Sequence, residues 1–210
     1  QSSFTIAATG YGGPRNNAPI PGVTFPGDVN GDGFDDLLVD FSFTQGYSPG
    51  TMVKASAIVF GNGAPGVNIE IAPATPAPTS DMLVFSYSDN AIPLGDIDGD
   101  GLDDIAILYE YKYSSSRYFN IVFGQDSANF VAELSPSGFV DLAGVSPSVE
   151  QLDIETNFYA SSSTILRDRG GQLYIDDVIG AGDVNGDGFD DLTLHFVNYT
   201  APAFLFYGGS

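Results

Sequence analysis

The stretch GDVNGDGFDDLLVDF at Gly27–Phe41 returns as GDIDGDGLDDIAILY at Gly95–Tyr109 and as GDVNGDGFDDLTLHF at Gly182–Phe196. The copies start 68 and 87 residues apart, which makes the chain an array of similar units. In each copy an acidic loop runs into a short apolar segment, Leu37–Phe41, Ile105–Tyr109 or Leu192–Phe196, rich in branched and aromatic residues. That composition predicts β-strands, and apolar residues on both faces predict strands buried between stacked sheets. A later strand in each unit ends in an aromatic-glycine pair: AIVFG at Ala57–Gly61, NIVFG at Asn120–Gly124 and LFYG at Leu205–Gly208. With 26 Gly and 13 Pro interrupting the apolar runs, no stretch supports a long amphipathic helix, and the fold class expected is all-β.

The 210 residues carry 6 basic and 27 acidic side chains, a formal charge of −21. A surface this negative repels phosphate backbones and anionic lipid, so nucleic acid is not an expected partner. No apolar run approaches the roughly 20 residues that cross a bilayer, so membrane insertion is not expected either. Apolar residues make up 43% of the chain, enough to build a core where a disordered acidic chain could not. Cysteine is absent, which removes disulfides, thiolate metal sites and cysteine nucleophiles. Cations are the natural partners.

Each loop has the form D-x-[DN]-x-D-G-x-x-D. The first places Asp28, Asn30, Asp32 and Asp36 at positions 1, 3, 5 and 9, with Gly33 at position 6 for the sharp turn. The second supplies Asp96, Asp98, Asp100 and Asp104, and the third Asp183, Asn185, Asp187 and Asp191. Adding the position-7 backbone carbonyls of Phe34, Leu102 and Phe189 and water approaches the 6 to 8 oxygens that Ca²⁺ takes. Every donor is a hard oxygen, which disfavours zinc and copper, and a flexible loop of this kind suits calcium better than magnesium. The three nonapeptides hold 13 of the 27 acidic residues, a repulsion that a cation removes. Three calcium ions per chain are therefore expected. Position 12 is Val39, Ile107 and Leu194 rather than a bidentate Glu, which excludes an EF-hand. The same departure, and a strand in place of a helix, separates these loops from dockerins.

An Asp-rich loop, an Asp pair, an apolar strand and a later strand ending in Phe-Gly together resemble the FG-GAP and VCBS-type repeats that build the β-propeller of integrin α-subunits. The resemblance implies four-stranded blades in which each calcium loop joins the first two strands. The expected architecture is thus a β-propeller-like array of three blades in one domain, residues 1–210, with repeats over roughly 20–75, 83–137 and 175–210. The long interval between Phe130 and Asp183 leaves room for a long hairpin or a degenerate fourth blade. Asp40, Glu110 and Asn198 stand where the family has a Gly-Ala-Pro turn, so ligand recognition at those turns does not carry over.

Six residues after Gly61 and Gly124 come Val67 (VNIEI) and Phe130 (FVAEL), each opening an outer strand. Counting on from Gly208 through Ser210 to Gln1, the sixth residue is Phe4 of FTIAA, so residues 1–10 are expected to complete the third unit. Three blades are too few for a comfortable ring. That shortfall points to copies of the same chain as partners, exchanging the N-terminal strand in a dimer or a filament.

Candidates for catalysis are weak. The single histidine, His195, aligns with Asp40 and Leu108 of the other units and has no nucleophile constellation around it. Glu110, Glu133, Glu150, Glu155 and Asp168 could serve glycoside hydrolysis only at suitable separations. Arg167, Asp168 and Arg169 read as a hairpin turn. The tyrosines Tyr109, Tyr111, Tyr113 and Tyr118, with Phe119, could stack on sugar rings or pack within the array. Asn198-Tyr199-Thr200 is a glycosylation sequon, relevant in a eukaryotic source. The expected function is that of a secreted or cell-surface, non-catalytic calcium-binding protein with an adhesive or structural role. An extracellular glycan or protein ligand, as in a carbohydrate-binding module, is the alternative, and a polysaccharide-active enzyme a more distant one.

Overall fold

The computed structural model describes residues 5–8, 22–45, 51–63, 68–71, 82–110, 117–126, 139–141, 164–166, 174–197 and 203–209, and none of these is helical. Strands are numbered in chain order. The first sheet is an antiparallel meander of β2 (Gly22–Gly27), β3 (Asp36–Gln45), β4 (Thr51–Val59) and β6 (Met82–Ser86), with β10 (Phe139–Asp141) added in parallel on the β6 edge. The second holds β7 (Ser88–Gly95), β8 (Asp104–Glu110), β9 (Arg117–Val122) and β11 (Thr164–Leu166), all antiparallel. The third holds β12 (Tyr174–Gly182), β13 (Asp191–Val197) and β14 (Phe204–Phe206), also antiparallel. Among the described residues, no sheet closes on itself.

The acidic loops sit where the resemblance implies, each joining the first two strands of its sheet. The outer strands differ from expectation. Asn68–Ile71, here β5, pairs in parallel with β1 (Thr5–Ala8), Thr5 opposite Asn68 and Ala8 opposite Ile71. The N-terminal strand is therefore taken by β5, and among the described residues the third sheet has three strands. The fourth strands of the first two sheets are β6 and β11. The physical reason for β6 is its connection: Tyr87 alone separates it from β7, turning at φ 63° with its N–H donated to Lys54 O at 2.8 Å. Such a corner carries the chain straight from the edge of one sheet to the first strand of the next. FVAEL at Phe130 lies outside the described residues. Within the long interval, β10 and β11 return to the first and second sheets and do not start a fourth.

Burial follows the period of two. Leu38, Ile58, Leu83 and Phe85 of the first sheet meet Ile105, Ile107 and Tyr109 of the second. Ala106, Leu108 and Ile121 on the opposite face of the second sheet meet Val178, Leu192 and Leu194 of the third. The other face of the first sheet is buried through Val39, Phe41, Val53 and Ala55, which is why β3 is apolar on both sides. Of the strand residues expected in the core, Val39, Ile105, Ile107, Leu192 and Leu194 are buried and Leu37 is partly buried. Tyr109 is fully buried between two sheets, so it is core and not part of an exposed stacking face.

Polar groups bridge the first two sheets. Ser56 donates its hydroxyl to Asp40 Oδ1 at 2.5 Å, and its oxygen lies 2.7 Å from Ser88 Oγ. Ala91 N–H donates to the same Asp40 oxygen at 3.1 Å. Burial raises the Asp40 carboxyl pKa above its ordinary value, with the Ser56 and Ala91 donors opposing the shift.

Candidate metal-binding loops

Each loop is organised around its first carboxylate. Asp28 accepts N–H groups from Gly31 at 2.7 Å, Asp32 at 3.2 Å and Gly33 at 2.8 Å. Asp96 accepts from Gly99 and Gly101 at 2.7 and 2.9 Å, and Asp183 from Gly186, Asp187 and Gly188 at 2.7, 3.1 and 3.0 Å. These bonds wind the chain round the carboxylate, which requires left-handed backbone at positions 4 and 6. Gly31 and Gly33 have φ of 72° and 85°, and Gly99 and Gly101 have 80° and 91°. The position-4 glycine is thus as necessary as the one at position 6.

The position-5 carboxylates bend back onto the backbone. Asp32, Asp100 and Asp187 accept N–H from Phe34, Leu102 and Phe189 at 2.9, 2.9 and 3.0 Å. At position 3, Asn30 and Asn185 donate their amides to Asp32 and Asp187, at 3.2 and 2.8 Å. The second loop has Asp98 there instead, with no amide to offer. Among the described residues, Asp96, Asp98 and Asp104 bring one carboxylate oxygen each within 4.8 Å of one another.

Position 9 is a buried bolt. Asp36 accepts Val29 N–H at 2.9 Å with one oxygen and Gly61 N–H at 2.8 Å with the other. Asp104 does the same with Ile97 and Gly124, and Asp191 with Val184 and Gly208. All three aspartates are 0% exposed. The glycine of the aromatic-glycine pair is therefore tied to the acidic loop in every unit. Burial pushes the Asp104 carboxyl up to about 8, the Gly124 and Ile97 donors oppose it, and the charges of Asp98 and Asp100 add to the rise. Burial likewise lifts Asp36 to about 6, against the Gly61 and Val29 donors and with the charges of Asp32 and Asp28. Asp98 is raised by burial and by the charges of Asp100 and Asp96. Each carboxylate oxygen has two acceptor sites, so the N–H bonds leave room for a cation, and the donor set is oxygen throughout. The residues fit a hard divalent cation.

The position-8 aspartates, which the motif alone does not explain, lock neighbouring loops together. Asp103 Oδ2 accepts Asp28 N–H at 3.0 Å, while Asp103 N–H donates to Asp28 O at 3.2 Å. Asp190 repeats both bonds on Asp96, at 3.0 and 2.8 Å. Gln125 N–H and Gly209 N–H add bonds to Val29 O and Ile97 O at 3.0 and 2.9 Å. The signal was present in the sequence as the Asp pair of every copy, but its partner lies 75 residues away. Side chains at position 7 join the contact, Leu102 lying on Gly31 and Phe189 on Gly99.

Other candidates are not drawn into a site. His195 is exposed on β13, opposite Asp177. Tyr111, Tyr113, Glu133, Glu150, Glu155, Arg167, Asp168, Arg169 and the Asn198 sequon lie outside the described residues, and the side chains of Glu110, Tyr118 and Phe119 are likewise not described. No helix among the described residues is long and apolar enough to cross a membrane. Comparison with protein-family models, with curated proteins and with solved structures finds no match. The FG-GAP and VCBS resemblance accordingly rests on the repeated residues alone.

Proposed function

We propose that the chain is a non-catalytic calcium-binding repeat protein of the extracellular space, with a structural or adhesive role. Each acidic loop takes one Ca²⁺ through its position-1, position-3, position-5 and position-9 side chains and its position-7 carbonyl. The observation that carries the reading is the cluster of Asp96, Asp98 and Asp104, three carboxylates within 4.8 Å with no basic side chain in the loop. The hydrogen bonds common to all three loops, from the position-4 and position-6 N–H groups to position 1, from position 7 to position 5, and onto position 9, support extending it to the first and third. Oxygen-only loops of this type suit the high calcium levels outside cells.

We also read the three sheets as consecutive propeller blades. In support, β2 touches β7 and β7 touches β12, so the first strands of successive sheets lie side by side. The test is elemental analysis of calcium-saturated, desalted protein combined with melting in calcium and in chelator. Three ions per chain and a lower melting temperature in chelator are expected. Fewer than two ions, or an unchanged melt, would overturn the reading.

A further inference from the structure

The large apolar side chains that the described residues leave exposed are Val23, Phe25, Phe34, Ile179, Val184, Leu205 and Tyr207. All belong to the first or the third repeat, and the repeat itself says what several of them should touch. Val184 occupies position 2 of its loop and is 57% exposed, whereas Val29 and Ile97 at the same position are 0% and 4% exposed beneath the following unit. Tyr207 and Leu205 correspond to Phe60 and Ile58, and to Phe123 and Ile121, all buried. On the opposite end, Val23 corresponds to Ala91 and Val178, both buried against the preceding unit.

The polar half of the junction is open in the same way. A Cβ added to Gly27 or Gly95 would run into the carboxylate of Asp103 or Asp190, whereas at Gly182 nothing lies within 4 Å. Leu102 and Phe189 rest on Gly31 and Gly99, whereas Gly186 has nothing within 4 Å. At the other end Asp35, the position-8 counterpart of Asp103 and Asp190, is exposed, as is Phe34. One end therefore presents a free acceptor and an apolar ridge, and the other presents the loop that such a ridge covers twice within the chain.

We propose that these two ends bind each other between copies of the chain, head to tail, with Asp35 and Phe34 of one copy seated on the Gly182–Gly186 loop of the next. The occupant is a second copy because the complementary surface is already used at both internal junctions. The remainder of the first sheet's outward face, around Val39 and Phe41, is buried, so the contact is confined to β2 and the loop edge. Such a contact is heterologous. It closes at two copies into six sheets, within the four to eight of propeller rings, or runs on as a filament. The contact rests on the bonds between a position-8 aspartate and the preceding loop, and not on the calcium assignment.

Sedimentation velocity of the full chain over a wide concentration range in millimolar calcium tests it. Wild type should associate. Asp35→Ala, which removes the head acceptor, and Val184→Glu, which puts charge on the tail, should each weaken association by about tenfold or more. Phe25→Glu, at a residue 71% exposed, is a second head variant that leaves the ladder intact. An equimolar mixture of Asp35→Ala and Val184→Glu has one intact head and one intact tail, so it should give a species of twice the monomer mass that neither variant gives alone. A wild type that stays monomeric, variants that associate like wild type, or a mixture that fails to pair would each overturn the proposal.

Discussion

Asp104 Oδ1 accepts the backbone N–H of Gly124 at 2.7 Å, joining the end of an acidic loop to a glycine 20 residues further along the chain. The other oxygen holds Ile97 N–H at 2.9 Å, so one carboxylate fixes both the loop entrance and the end of the third strand. Asp104→Ala strands two N–H groups whose hydrogen bonds are both buried. We expect a loss of about 2–4 kcal/mol, read as a shift in denaturant midpoint without a change in slope. Asp104→Asn keeps one acceptor oxygen and should fall between. A loss below about 1 kcal/mol for the alanine variant would show that water replaces the carboxylate.

Removing one position-5 carboxylate should remove one ion. Asp32→Ala, Asp100→Ala and Asp187→Ala are each expected to lower calcium content from three per chain to two, leaving the other loops loaded. Elemental analysis of the three variants decides this. A drop to zero in any of them would mean that the sites load only as a set.

The bridge at Asp40 makes a prediction with a definite sign. Its folded pKa is raised by burial, and no charged neighbour contributes to the shift. The folded protein thus holds that proton more tightly than the unfolded chain does. Stability from this group is fullest below the unfolded carboxyl value of about 3.9, falls as pH rises through the folded value, and stays reduced at neutral pH. Asp40→Asn keeps an oxygen for Ser56 and Ala91 and removes the buried charge. Its melting temperature should exceed wild type at pH 7, and the difference should vanish in acid. A variant less stable than wild type at pH 7 would contradict the sign.

Gly95 and Gly182 share a left-handed backbone, φ 79° and 69°, but only Gly95 lies against a position-8 carboxylate. Replacing each with Ala incurs similar backbone strain, so the difference isolates the lock between loops. At dilutions where the chain is a single copy, Gly95→Ala should cost about 1–3 kcal/mol more than Gly182→Ala. Equal losses would show that Asp190 moves aside freely.

Much of this fold is legible in the sequence. The resemblance carried by the repeated acidic motif implies loops between the first two strands, as found, and doubly apolar segments such as Ile105–Tyr109 mark strands buried on both faces. What failed was long-range pairing. VNIEI at Val67 has strand composition, but composition does not say which edge a strand joins, and Asn68–Ile71 pairs with the N-terminal strand. Strands of three residues such as Thr164–Leu166 carry no periodic signal at all. The loop motif gives Asp103 and Asp190 no role, because its chemistry is local, whereas the groups they hold belong to the preceding unit.

The return of β10 and β11 to earlier sheets sets the order in which a growing chain can be completed. An array whose units were contiguous could finish each one as it emerged from the ribosome. Here the β6 edge waits for Phe139–Asp141 and the β9 edge waits for Thr164–Leu166, both made after most of the second unit. Until then two bare strand edges face solvent, each a template for pairing with another nascent chain. The slow step of folding should therefore be the late capping of these edges, and chains truncated before Phe139 should aggregate even though two acidic loops are already whole.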